Sequence, residues 1–241
     1  MGEVTMSANN QSAQGNDNHI NLYEPHVWKH HTKVAGLEWK NPVGTASGTF
    51  QYAAVRWFYD VSQLGAVCTK GASPVPWEGN PSPRTAESPA ANINAVGLQN
   101  PGVDHYLAED LPKLKAAGAF VISNVAGHCD DDYAEVVEKL ADSDVDMLEI
   151  NVSCPNVSAG GMSVGADPVA LANLMDRLRP LTDKPMIVKL TPNVTDITVP
   201  ARAAVEHGAD ALSMINTLKG MRINIRNGEP IIANVTGGVS G

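Results

Sequence analysis

Two lysines, one thiol and a series of carboxamides sit where chemistry is to be expected. Lys70 closes the apolar run Ala66-Val67-Cys68-Thr69-Lys70, and Lys189 closes Met186-Ile187-Val188-Lys189. A lysine in that position must be ion-paired, shifted in pKa or turned toward an anionic ligand. A strand-end lysine snorkelling to solvent would look the same in sequence. Two lysines at equivalent places in an acidic chain favour the ligand, a carboxylate, a phosphate or the electron-rich edge of a heterocycle. The stretch Glu149-Ile150-Asn151-Val152-Ser153-Cys154-Pro155-Asn156 sets a thiol just past a strand end, beside a serine and two asparagines. Such a thiol works as a base or nucleophile once its pKa falls from about 8.5. Pro155 and its turn-forming neighbours place Cys154 in a rigid loop. Cys68 and Cys129 lack that setting and read as inert thiols.

Residues 77–102 hold four prolines and four asparagines, which reads as a lid or binding loop. Within it, Asn94-Ala95-Val96-Gly97-Leu98-Gln99-Asn100 offers amide side chains and a glycine that lets backbone approach a ligand. Asn216 and Thr217 end another apolar run with a carboxamide and a hydroxyl. Residues 223–232 read as a hairpin around Asn227-Gly228, followed by a glycine-rich tail to Gly241. The seven histidines show no ligand spacing, and no metal site is expected.

These residues need a scaffold, and the chain supplies a rhythm for one. Apolar runs recur at 64–70, 120–124, 147–152, 186–190 and 211–216, as in strands buried on both faces of a parallel sheet. Helical spacing lies between them. Tyr133, Val136, Val137 and Leu140 fall at i, i+3, i+4 and i+7 after three aspartates. Leu171, Leu174, Met175 and Leu178 repeat the pattern after Asp167-Pro168, a cap followed by a proline in the first turn. A third helix over 200–207 ends at Gly208. Strand–helix alternation of this kind builds βαβ units. The first strand is not followed by G-x-G-x-x-G, which argues against a dinucleotide-binding sheet. Six strand ends are polar, at Ser47, Lys70, Asn124, Asn151, Lys189 and Asn216. Sites assembled from many strand ends characterise the (β/α)8 TIM barrel, an α/β fold.

The chain has 241 residues, of which 43% are hydrophobic, enough for a substantial core. Its net charge of −9 argues against a phosphate-backbone binder, so no nucleic-acid partner is expected. No apolar run approaches the length of about 18 residues needed to span a bilayer, and no membrane partner is expected. Residues 1–20 are polar and read as a disordered tail, leaving 21–241 as the folded domain.

Together these residues resemble the class 1 dihydroorotate dehydrogenases, most closely the NAD-linked class 1B type. The resemblance runs from Val34 to Gly241. It is carried by Asn-Pro-Val-Gly-Thr-Ala-Ser-Gly-Thr-Phe at 41–50, Asn-Ala-Val-Gly-Leu-Gln-Asn-Pro-Gly at 94–102, Asn-Val-Ser-Cys-Pro-Asn at 151–156 and Ala-Asn-Val-Thr-Gly-Gly at 233–238. It implies an FMN-binding barrel that oxidises dihydroorotate to orotate in cytoplasmic pyrimidine synthesis. Cys154 would take the proton from C5 of the dihydropyrimidine ring while the C6 hydride goes to the flavin. Lys70, Asn94, Ala95, Val96, Gly97, Leu98, Asn151, Asn216 and Thr217 would bind substrate. Ser47, Lys70, Gly71, Asn124, Asn151, Lys189, Ile215 and Gly241 would bind FMN.

The implied partner is an iron–sulfur flavoprotein that passes electrons to NAD⁺, with a homodimer of this chain inside a heterotetramer. Gln51-Tyr52-Ala53-Ala54 replaces the family's usual glycines, so a stiffer loop is expected beside the flavin. The family continues past the position of Gly241. The expected fold therefore lacks roughly the last two βα units and the phosphate-binding loops they carry. A dihydropyrimidine dehydrogenase-type FMN reductase and a non-catalytic truncated remnant are the competing readings.

Overall fold

The computed structural model describes residues 31–153 and 164–241. The tail expected over 1–20 and the loop carrying Cys154 lie outside the described residues. The strands are β1 (Thr32–Val34), β2 (Leu37–Trp39), β3 (Val67–Cys68), β4 (Thr85–Ser88), β5 (Ala91–Asn94), β6 (Val121–Val125), β7 (Met147–Asn151), β8 (Met186–Lys189), β9 (Ala211–Ser213), β10 (Leu218–Gly220) and β11 (Gly237–Ser240). The helices are α1 (Tyr52–Val55), α2 (Val103–His105), α3 (Leu111–Ala116), α4 (Asp130–Ala141), α5 (Pro168–Leu178) and α6 (Thr198–Glu206). A π-helical stretch, Tyr106–Asp110, joins α2 to α3.

The main sheet is parallel in the order β3-β6-β7-β8-β9, with helices between successive strands. This is the expected α/β architecture, an incomplete (β/α)8 barrel. Strand parity divides the core. Val67, Val121, Leu148, Ile150, Met186 and Val188 face the helices and pack with Tyr133, Val136, Leu140, Leu171, Leu174 and Leu178. Ala66, Cys68, Ile122, Met147 and Ile187 face the other way and form an inner cluster. The β1–β2 hairpin closes one end of that cluster with Val34, Leu37 and Trp39, whose indole lies 5.7 Å from the Phe120 ring. Burying each such side chain stabilises the fold by about 1.5–3 kcal/mol.

The helices form for the reasons their sequences suggest. Asp130, Asp131 and Asp132 occupy the first turn of α4, where the positive end of the dipole favours them. Asp167 caps α5 by accepting from Val169 N and Ala170 N, and Pro168 starts the helix without losing a needed N–H. Helix α6 begins at Thr198, two residues earlier than its apolar spacing indicates, because Asp196 accepts from the Thr198 N–H and hydroxyl. Two aspartates fix the sheet register at the entry side. Asp146 accepts from Val121 N at 2.7 Å, and Asp210 accepts from Met186 N at 2.8 Å.

Three expectations need correction. No strand ends at Ser47; there is only an isolated parallel bridge between Gly44 and Ala66. Pro42 has no N–H to offer a ladder, which limits pairing there. Residues 77–102 are not one open loop, since β4 and β5 form an antiparallel hairpin inside a second sheet of order β10-β11-β5-β4. Alternating burial places Ala86 and Ile93 on its inner face with Ile232. The glycine-rich tail is a strand, β11, slotted between β10 and β5. The hairpin expected over 223–232 is present as an isolated bridge between Ile223 and Pro230 around Asn227-Gly228. Among the described residues no helix is long and apolar enough to cross a membrane.

Met147 is fully buried in the inner cluster, directly beneath the polar strand ends. Met147→Ala is expected to lower the unfolding free energy by about 2–5 kcal/mol, read from the urea midpoint. A loss under about 1 kcal/mol would mean that the inner cluster is not close-packed.

Candidate functional site

The polar residues gather at the carboxyl ends of the parallel strands, on the inner face. Register places Asn124 opposite Glu149, and Asn151 opposite Lys189. The Asn124 Nδ2 donates to Glu149 Oε1 at 2.6 Å, and the Cys68 thiol donates to the same oxygen at 3.3 Å. Lys189 Nζ stands 3.9 Å from that oxygen. All four residues are largely buried, so these contacts satisfy a carboxylate that would otherwise be costly to hold away from water. Sequence reasoning does not single out Glu149 as a site residue. Its signal is parity, because a charge two residues before Asn151 in a strand shares its face.

Asn151 joins this group to a second one. Its Oδ1 accepts from Asn216 Nδ2 at 3.1 Å, and its carbonyl accepts from the Tyr133 hydroxyl at 2.7 Å. Asn216 Oδ1 accepts from Thr217 N at 2.8 Å, and Asn193 Nδ2 donates to the Thr217 carbonyl at 3.1 Å. Asn94 Nδ2 reaches the Gly238 carbonyl at 3.4 Å. A Cβ on Gly238 would lie 1.9 Å from Thr217 Oγ1, and one on Gly237 would lie 2.5 Å from the Asn94 carbonyl oxygen. Only glycines let β11 pass between those two residues, which is the structural content of the Val-Thr-Gly-Gly motif.

Lys70 lies two residues past the end of β3, beside Gly48, whose Cβ position lies 3.6 Å from Lys70 Nζ. The Ser47 backbone N–H lies against the Cys68 thiol. A cleft of about 900 Å3 opens here, lined by Gly48, Lys70, Gly71, Trp77, Val96 and Gln99 among others. Gln51, Tyr52 and Ala53, the residues in place of the family's glycines, line it as well, and Tyr52 begins the short helix α1. The Trp77 ring stacks on His128 with centroids 3.8 Å apart. The cleft lining does not extend to Asn124, Asn151 or Lys189, so Lys70 and Gly71 stand between it and the inner polar layer.

The structure therefore brings together Lys70, Gly71, Asn124, Asn151, Lys189, Asn216, Thr217 and Asn94. Ala95, Val96, Gly97 and Leu98 follow directly from β5, with Gly97 and Leu98 at positive φ. Ile215 lies past β9 and is half exposed. Gly241 does not join the group. It packs against Ala90 and Ala91 at the far turn of the β4–β5 hairpin. Cys154 lies outside the described residues, and its neighbour Ser153 has a buried hydroxyl with no partner among them. Among the described residues no cluster of His, Cys, Asp or Glu could hold a metal ion.

The family model described as dihydroorotate dehydrogenase matches residues 29–241. The chain is 53% identical over 212 residues to "Dihydroorotate dehydrogenase B (NAD(+)), catalytic subunit" of Alkaliphilus metalliredigens, covering 86% of this chain and 69% of that protein. It is 52% identical over 212 residues to the protein of the same name from Lachnoclostridium phytofermentans, covering 86% and 70%. It is 50% identical over 211 residues to "Putative dihydroorotate dehydrogenase A (fumarate)" of Aquifex aeolicus, covering 87% and 69%.

Burial, then the Glu149 charge, pushes the Cys68 thiol well above its ordinary value. Burial likewise pushes the Tyr106 phenol up to about 12. Both groups keep their protons in the folded state after the unfolded chain has begun to lose them. Their contribution is complete below the unfolded values and is lost as pH rises past about 8.5 for the thiol and about 10 for the phenol. Unfolding free energy is therefore expected to fall as pH is raised from 8 to 10, while native Cys68 resists alkylation at pH 8. Rapid alkylation of Cys68 under native conditions would contradict this placement.

Proposed function

The chain belongs to the dihydroorotate dehydrogenase family, and from that premise we infer that it oxidises dihydroorotate to orotate in pyrimidine biosynthesis, with FMN as the hydride acceptor. The observation that carries the flavin reading is the Asn124 side chain. Its Oδ1 is buried without a hydrogen-bond partner among the described residues, and it lies 2.7 Å from where a Cβ on Gly71 would stand. A buried acceptor beside a position kept open by glycine fits a planar ring edge that carries an N–H donor. Lys189 and Lys70 add the cationic groups that an electron-accepting ring and an anionic substrate require. These features fit FMN, which when bound would accept the hydride released from C6.

The chain's own residues divide the remaining work. Asn124, Lys189 and Gly71 would hold the cofactor ring, with Ser47 and Ile215 as further proposed contacts. Asn151, Asn216 and Thr217 form a hydrogen-bonded row, with Asn94 across β11 from Thr217, and these carboxamides and hydroxyl suit the polar edge of a dihydropyrimidine. Lys70, at the junction of cleft and row, would face the substrate carboxylate and the cofactor together. Cys154 would take the C5 proton as thiolate, holding it on sulfur until it passes to solvent. The Ala95–Leu98 segment would close over the substrate.

The reading extends to an electron-transfer subunit. Two of the three relatives described above bear the name of the catalytic subunit of an NAD(+)-linked enzyme. We therefore include an iron–sulfur flavoprotein partner, a homodimer within a heterotetramer and a cytoplasmic setting in the proposal.

Cys154→Ser is expected to slow dihydroorotate oxidation by about 10²–10⁴-fold, the usual worth of a general base, with FMN still bound. Turnover is followed as orotate formation, and bound flavin by absorbance. Unchanged turnover would remove Cys154 from the reaction. Turnover of uracil or thymine in place of dihydroorotate would overturn the substrate.

A further inference from the structure

The function proposed above leaves Glu149 without a ligand to bind, yet Glu149 determines what Asn124 can do. A carboxamide has a donor end and an acceptor end, and in a symmetric setting either could face a ligand. Ionised carboxylate has only acceptors, so it selects the donor end of any amide beside it. Asn124 Nδ2 donates to Glu149 Oε1 at 2.6 Å. The same oxygen takes the Cys68 thiol proton at 3.3 Å and faces Lys189 Nζ at 3.9 Å. Oδ1 of Asn124 is thereby turned the other way, toward Gly71, where it is buried and unpartnered among the described residues.

We propose that Glu149 is a positioning residue: it fixes the polarity of the Asn124 amide, so that the site accepts a ring edge bearing an imide N–H and rejects one that lacks it. The inference rests on the flavin and dihydroorotate reading. Both of those molecules carry an imide N–H, so the shared chemistry is an imide donor, from the cofactor ring or from the substrate ring. Rotation of the amide by half a turn would set an N–H against the imide N–H and leave both donors unpaired. Glu149 excludes that rotation because an amide oxygen facing the carboxylate would meet only like charge. Cys68 and Lys189 meet the same carboxylate oxygen and hold Glu149 in place from the neighbouring strands β3 and β8.

The test measures selectivity rather than binding alone, because a general loss of structure weakens all ligands together. FMN and its N3-methyl analogue are titrated into the flavin-free protein, followed by flavin fluorescence. Orotate and N3-methylorotate are titrated into the FMN-loaded protein, followed by the flavin visible spectrum. Wild type is expected to prefer the unmethylated member of one pair by on the order of tenfold or more, the cost of denying a buried acceptor its donor. The pair that shows the preference identifies the ring that Asn124 meets.

In Glu149→Gln the neutral amide can donate or accept, Asn124 is free to turn, and the preference should collapse toward unity. Combining Glu149→Gln with Asn124→Asp should restore it. In that double variant the introduced amide would donate to the introduced carboxylate, whose other oxygen stays an acceptor toward the ring. This variant also keeps the inner pair hydrogen-bonded if the single variant does not fold. A wild type that binds FMN but discriminates within neither pair overturns this inference and leaves the flavin reading standing. So does a double variant that folds and binds without regaining the preference. A wild type that binds neither FMN nor orotate overturns the flavin reading and this inference together.

Discussion

A carboxylate enclosed by a parallel sheet has to be met by donors, and at Glu149 those donors come from three different strands. Asn124 is from β6, Cys68 from β3 and Lys189 from β8. The carboxylate therefore ties neighbouring strands together at the height where the inner face changes from apolar to polar. Below it lie Ile122 and Met147, level with it Ile187, and above it Asn151 and Lys189. Asp146 and Asp210 fix the strand register at the opposite end. A slip of one residue would send every polar group on this face into the helix layer.

That boundary explains how the second sheet comes to matter. The antiparallel strands β4, β5, β10 and β11 contribute little to the main core, and their own cluster is small. Their role is to bring Asn94 and Thr217 close together from distant parts of the chain, with β11 between them. The absence of side chains at Gly237 and Gly238 allows the approach. A cleft beside Lys70 and a polar layer under Asn124 thus meet at Gly71, another position where a side chain would intrude on the amide.

Much of this is legible in the residues. The aspartates before α4 and α5, the apolar spacing within them and the recurring Val- and Ile-rich runs specify a layered α/β chain. The polar strand ends indicate where its chemistry lies. Other features depend on context. Prolines in 77–102 conceal the alternation of Thr85–Ser88 and Ala91–Asn94, because turn residues and strand residues are interleaved there. Gly237 and Gly238 have no intrinsic strand preference, and only the close backbone of β5 and β10 makes them a strand. Glu149 stands within a motif whose thiol and amides draw the eye first. Its role emerges only once β6 is placed beside β7, since the sequence does not say which amide a charge will face.

In the proposed function, these strand ends hold a flavin where dihydroorotate can reduce it. Anaerobic titration of the FMN-loaded protein with dihydroorotate tests it most directly, followed by the long-wavelength flavin absorbance. The bands are expected to bleach as orotate appears in equal amount. Bound flavin that stays oxidised in excess dihydroorotate would contradict it.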